Sequence, residues 1–181
     1  MKKAFLFCFL FSWMFVSSQK EGQSFCDGDK YGEYFPLNVY KKKIYWYGTY
    51  YFETNKGVKN RNDKKYIEFV QEWENGEKST IYFRFEKNEV LMFEECCEKE
   101  TLRFSNDMKV NDEWSNVEKD ITYKIISFSE SLSTPICKYS NLLVIRAIYQ
   151  DITFDFYYLK GFGYVGATKD EKLISYATPE F

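Results

Sequence analysis

Bulky and polar side chains alternate along most of this chain with a period of two, the spacing of β-strands whose two faces meet different surroundings. Lys43 to Thr54 reads KIYWYGTYYFET and predicts one strand. Ile44, Trp46, Tyr50 and Phe52 share one parity of that strand, and Tyr45, Tyr47 and Tyr51 the other. Rings on both faces predict burial on both sides or the wall of a cavity. Asn55-Lys56-Gly57 ends the run. Ile67, Phe69 and Trp73 then alternate with Glu68, Val70 and Glu72, and Ile81, Phe83 and Phe85 with Tyr82, Arg84 and Glu86. Asn75-Gly76 between these runs predicts a hairpin, because both residues accept a positive φ. Lys87-Asn88 predicts a second tight turn into Val90–Phe93, and Leu102 with Phe104 a short strand before the polar stretch Ser105–Ser115.

The second half continues in the same style. Ile121–Phe128 is β-branched and aromatic, and Ser129–Pro135 reads as a loop. Leu142–Tyr149 is apolar apart from Arg146, and Gln150-Asp151 turns it into the alternating run Ile152–Tyr158. A register that sets Arg146 beside Asp155 would pair the two charges. Phe162–Thr168 and Leu173–Ala177 form a last pair around Lys169-Asp170. No segment beyond residue 18 carries apolar side chains at i, i+3, i+4 and i+7. About ten strands joined by short turns predict an all-β fold with little or no helix in the mature chain. The short connections make it an antiparallel meander that closes into a barrel or half-barrel.

The amino terminus follows a different rule. Met1-Lys2-Lys3 is basic, Ala4–Val16 is apolar apart from Ser12, and Ser17 and Ser18 are small, which is the order of a secretory signal peptide. The apolar run is shorter than the roughly 20 residues of a spanning helix, so no stable membrane span is expected after cleavage. The expected organisation is a signal peptide over 1–18 and a single β domain over 19–181, exported to the periplasm or secreted. Export gives Cys26, Cys96, Cys97 and Cys137 the reading of a disulfide set. Adjacent Cα atoms lie only about 3.8 Å apart, which disfavours a Cys96–Cys97 bond. The expectation is two bridges, one of that pair joined to Cys26 and the other to Cys137.

Composition removes several chemistries. The chain has no histidine, so the commonest general base and metal ligand are missing. A net charge of −2 offers no electrostatic case for nucleic acid. Gly161-Phe162-Gly163-Tyr164-Val165-Gly166 spells G-x-G-x-x-G, but too few residues follow to build a dinucleotide-binding βαβ unit. Gly161 and Gly163 instead predict a strand groove that receives a neighbouring ring. Asp27-Gly28-Asp29-Lys30-Tyr31-Gly32 begins like a calcium loop and then departs from it, and the cysteine spacing does not match a zinc site. No cofactor, metal or catalytic residue is assigned. Lys41-Lys42-Lys43 reads either as a contact for anionic groups or as lysines guarding a sheet edge.

Three stretches carry a resemblance: Tyr34-Phe35-Pro36-Leu37; Thr134-Pro135-Ile136-Cys137-Lys138-Tyr139 leading into Leu142-Leu143-Val144-Ile145; and Tyr158-Leu159-Lys160-Gly161-Phe162-Gly163-Tyr164-Val165. The chain resembles uncharacterised exported β-meander proteins of Gram-negative bacteria with a closing Y-x-K-G-x-G-x-V hairpin. Its general design is similar to the half-barrel carriers of lipoprotein localisation. The expected function is non-enzymatic binding of an apolar or lipid-like small molecule or an envelope protein. Trp46, Tyr50, Phe52, Phe69, Trp73, Phe83 and Phe85 are the candidate ligand-binding rings. The alternatives are a glycan-acting enzyme using paired carboxylates, from Glu94 to Glu100 or Asp151 with Asp155, and a structural or adhesive protein.

Overall fold

A computed structural model describes residues 26–180; the predicted signal peptide and its cleavage point lie outside them. Twelve strands follow one another: β1 (Lys41–Trp46), β2 (Thr49–Arg61), β3 (Lys64–Trp73), β4 (Lys78–Glu86), β5 (Glu89–Glu94), β6 (Lys99–Ser105), β7 (Glu113–Ser115), β8 (Ile121–Ser133), β9 (Lys138–Tyr149), β10 (Ile152–Leu159), β11 (Gly163–Lys169) and β12 (Lys172–Pro179). They form one antiparallel sheet in the order β6-β5-β4-β3-β2-β1-β12-β11-β10-β9-β8-β7. The described residues contain no helix. β1 pairs with β12, so the two ends of the meander meet in the middle of the sheet. The outer strands β6 and β7 approach without a ladder: Trp114 Nε1 donates to the Leu102 carbonyl at 2.7 Å, and Val117 N to Thr101 Oγ1 at 3.1 Å. The sheet is therefore a nearly closed barrel, in agreement with the expected class.

The strand count exceeds the expected ten for local reasons. Tyr47 and Gly48 both adopt positive φ (47° and 87°) and split the predicted first strand into the hairpin β1–β2. Asn55-Lys56-Gly57 does not end β2 but forms a bulge within it. There Gly57 N donates to Asn55 Oδ1 at 2.8 Å, and Asn55 Nδ2 reaches the Leu37 carbonyl at 2.8 Å. The predicted loop Ser129–Pro135 is mostly strand, because bulges let β8 bend and keep its pairing with β9. β7 lies at the end of the stretch read as mostly polar. The Asn75-Gly76 hairpin is present, with only Gly76 at positive φ (86°), while Asn75 Oδ1 accepts from Glu77 N. The side chain thus caps the turn that a second positive φ would otherwise shape.

The lead-in, residues 26–40, runs over the barrel and packs Tyr34 and Phe35 against its core, while Tyr31 and Tyr40 stay exposed. Phe35 stacks on Phe104 at 5.3 Å and on Tyr158 at 4.4 Å. These rings join Tyr123, Ile125, Leu143, Ile145 and Ala147 in a buried cluster under β8–β10. A second cluster gathers Ile44, Leu132, Leu142, Leu159, Val165 and Ala177. Backbone bonds pin the lead-in, from Asp29 N to the Lys160 carbonyl and from Gly161 N to the Glu33 carbonyl. Gly161 lies in the β10–β11 turn with φ +80°, not in a strand groove, and a Cβ on Gly32 would come within 2.5 Å of its nitrogen. Glycine at both positions is what lets the two backbones meet.

The cysteines correct the expected connectivity. Cys26 bonds Cys137, closing 111 residues, and Cys96 and Cys97 are free. The physical reason is distance in the fold. Cys26 starts the lead-in beside the β8–β9 turn, whereas Cys96 and Cys97 occupy the β5–β6 turn. Hydrogen bonding to Cys97 pushes the Cys96 thiol up to about 12.

Outside the barrel, Tyr66, Tyr82 and Phe93 form a small buried cluster. Beside it Glu100 binds Arg84 through both carboxylate oxygens, Lys64 Nζ at 2.8 Å and the Tyr66 hydroxyl at 2.6 Å. The Arg84 hydrogen bonds hold the Glu100 carboxyl down at about 2, with Lys64 and Tyr66 adding to the effect. A carboxyl held below its ordinary value stabilises the fold above that value and loses this contribution as pH falls through about 2. Glu100→Gln is expected to lower stability by about 2–3 kcal/mol at pH 7. The gap to wild type closes between roughly pH 5 and pH 2. Urea unfolding across that window checks it; a gap independent of pH would exclude the charge as the cause.

Candidate functional site

Inside the barrel a space is left between the first strands and the last. A cavity of about 200 Å³ is walled by Ile44 and Trp46 of β1, Tyr51 of β2, Phe69 of β3 and Ile81 and Phe83 of β4. Phe156, Tyr158 and Tyr164 face these residues from β10 and β11. Phe35, Pro36 and Leu37 of the lead-in form a further wall, and their other side borders a second cavity of about 600 Å³. That neighbour is lined by Ile67, Phe85, Val90 and Phe104 together with polar lead-in residues.

The β1–β2 turn decides which side chains reach the cavity. Trp46 pairs with Thr49, Ile44 with Tyr51 and Lys42 with Glu53. Crossing a two-residue turn inverts parity, so the even positions of β1 share a face with the odd positions of β2. Trp46, Phe69 and Phe83, three of the expected rings, therefore line the cavity, and Phe85 lines its neighbour. Trp73 packs on Tyr51 at 4.6 Å beyond the lining. Tyr50 and Phe52 stand on the opposite face of the sheet, where Tyr50 packs near Tyr45, and Lys43 Nζ sits 4.0 Å from the Tyr50 ring centroid.

The same alternation separates the three lysines. β1 lies between β12 and β2 and is not an edge. Lys41 and Lys43 lie over rings, Lys41 4.3 Å from the centre of Phe52. Lys42 points inward, is 6% exposed and lines the cavity. Its ammonium lies 4.7 Å from the Phe162 ring centre. Burial pulls its pKa down to about 8, and Glu53 across the ladder opposes that fall. In the sequence Lys42 stands out only as one member of the run Lys41-Lys42-Lys43, although it alone of the three shares the parity of Ile44 and Trp46.

Two more charged groups border the cavity. Glu53 accepts from Gln71 Nε2 at 3.0 Å, and Arg103 Nη1 donates to the Tyr123 hydroxyl at 2.9 Å. Burial raises the phenols of Tyr51, Tyr158 and Tyr164, so they remain neutral donors. Glu53 is the sole carboxylate among the described residues lining this cavity. None of the acids singled out in the sequence lines this cavity, and three of them are engaged elsewhere. Asp155 accepts two bonds from Arg146, at 2.7 and 2.9 Å in the expected register, Glu95 pairs with Arg61, and Glu100 pairs with Arg84. No group of three or more metal-ligating side chains occurs among the described residues. Those residues include no helix long and apolar enough to cross a membrane.

No protein-family model and no curated protein matches the chain. Among solved structures it is similar to a "putative exported protein with YmcC-like fold" from Bacteroides fragilis, at 9% identity and a TM-score of 0.45. That match covers 76% of this chain and 91% of the other. It is also similar to a "putative lipoprotein" from Parabacteroides distasonis, at 14% identity and a TM-score of 0.41, over 81% of this chain and 96% of that one. At such identities no residue role transfers from either protein to this chain.

Proposed function

We propose that this chain is an exported, non-enzymatic binding protein that holds an apolar or lipid-like ligand inside its barrel. The observation that carries the reading is the ring-lined cavity between β1–β4 and β10–β11, beside a second cavity behind the lead-in. A concave, mostly apolar site with a few placed polar groups is the usual form of a small-molecule site. The basic-apolar-small order of the amino terminus and the Cys26–Cys137 bond both support export. The proposed mature unit is one β domain over 19–181.

A neutral fluorescent probe such as N-phenyl-1-naphthylamine tests it. Ile81→Trp, which fills the cavity, is expected to weaken probe binding at least about tenfold, about 1.4 kcal/mol. Phe52→Ala, on the outer face, is expected to leave it unchanged. The reverse pattern would move the site to the outer face of β2, and no binding at all would overturn the reading.

A further inference from the structure

The cavity contains one feature that an apolar ligand does not account for. Lys42 is 6% exposed, on a central strand, and lines a space otherwise made largely of rings and aliphatic groups. Its ammonium makes no hydrogen bond or ion pair to a side chain among the described residues and lies over the Phe162 ring. Its cross-strand neighbour Glu53 is turned to Gln71. Space for the ammonium is built into the backbone opposite. A Cβ on Gly163 would lie 3.1 Å from Lys42 Nζ and 3.3 Å from Pro36 Cδ. Arg103 adds a second cation to the lining, against the single carboxylate of Glu53.

A buried cation with no opposite charge in contact is costly, and a ligand that brings one removes that cost. Resting on the cavity reading above, we propose that the site selects an amphiphile whose apolar body ends in a single negative charge, with Lys42 meeting the head group. The tail would lie along Trp46, Phe69, Phe83 and Phe156, and the balance of two cations and one carboxylate leaves room for one anion. Neutral phenols at Tyr51 and Tyr158 can donate hydrogen bonds to the same head without adding charge.

Three probes with one tail and different heads test this: decanoate, 1-decanol and decylamine, titrated at pH 7 into the purified protein and followed by tryptophan fluorescence and calorimetry. Decanoate is expected to bind at least tenfold more tightly than decanol, and decylamine more weakly than decanol. Lys42→Met is expected to bring decanoate to the level of decanol in the same variant. Equal binding of decanoate and decanol by the wild type overturns the head-group assignment and leaves the cavity reading standing. A preference for decanoate that survives in Lys42→Met overturns the role of Lys42. Failure of all three probes, together with the neutral naphthylamine, overturns both.

Discussion

Replacing Cys26 and Cys137 together by serine is expected to lower the unfolding free energy by about 4–5 kcal/mol, the magnitude for a bond that closes a loop of this length. For a domain of this size that corresponds to a fall in Tm of about 10 °C. The bond acts chiefly on the unfolded chain, whose freedom it restricts over 111 residues. It also anchors the lead-in in the folded state. Cys26 is packed against the cluster that holds Cys137, Leu142 and Val165. From there the segment crosses to Phe35, Pro36 and Leu37, which wall both cavities. The double variant is therefore expected to bind apolar probes more weakly even where it remains folded. Cys96→Ser with Cys97→Ser provides the contrast. Both residues sit at a turn, one of them exposed, and their replacement is expected to change stability by no more than about 0.5 kcal/mol. Urea unfolding of the two double variants side by side decides the matter. Equal losses in both would contradict the Cys26–Cys137 pairing.

Lys42→Met is expected to act in the opposite direction and stabilise the protein by about 2–3 kcal/mol at pH 7. The argument is one of linkage. An unfolded lysine keeps its proton to about pH 10.4, whereas the folded Lys42 releases it at about 8, because burial penalises the ammonium more than Glu53 supports it. Below pH 8 both states are protonated and the full penalty of burying the charge is present. Between pH 8 and about 10.4 the unfolded chain binds more protons, so wild-type stability from this group rises with pH. The advantage of Lys42→Met is thus largest at neutral pH and shrinks towards zero near pH 10.4. Methionine keeps the length of the lysine stem and its packing beside Phe162. Chemical unfolding at pH 7 and at pH 10 reads both the size and the slope. A destabilised variant, or a gain that does not shrink with pH, would show that Lys42 is already compensated inside the protein. A stabilising loss of this kind fits a residue retained for binding rather than for folding.

The two effects differ in how far each was legible beforehand. The period of two and the turn residues carry the class of fold, because strand alternation is a local property of the backbone. Val90, Ile125 and Ile145, for example, lie in predicted strands and are buried in the barrel. The Arg146–Asp155 pair was legible too, since the short Gln150-Asp151 turn sets the register of β9 and β10. The candidate rings were legible only in part. Tyr47-Gly48 reads as one more aromatic step of a strand, and overlooking it keeps Tyr50 and Phe52 on the face of Trp46. Recognising it exchanges them for Tyr51 and Glu53, and one turn thereby redraws half of the site.

By itself the sequence determined that this chain forms antiparallel ribbons and where most of them turn, because both depend on neighbours within a few residues. Tertiary structure alone decided which face became the interior, which cysteines met, and that Lys42 ended among rings. Those outcomes depend on how the whole sheet curls until β1 finds β12 and the lead-in crosses the barrel, contacts made between segments more than a hundred residues apart.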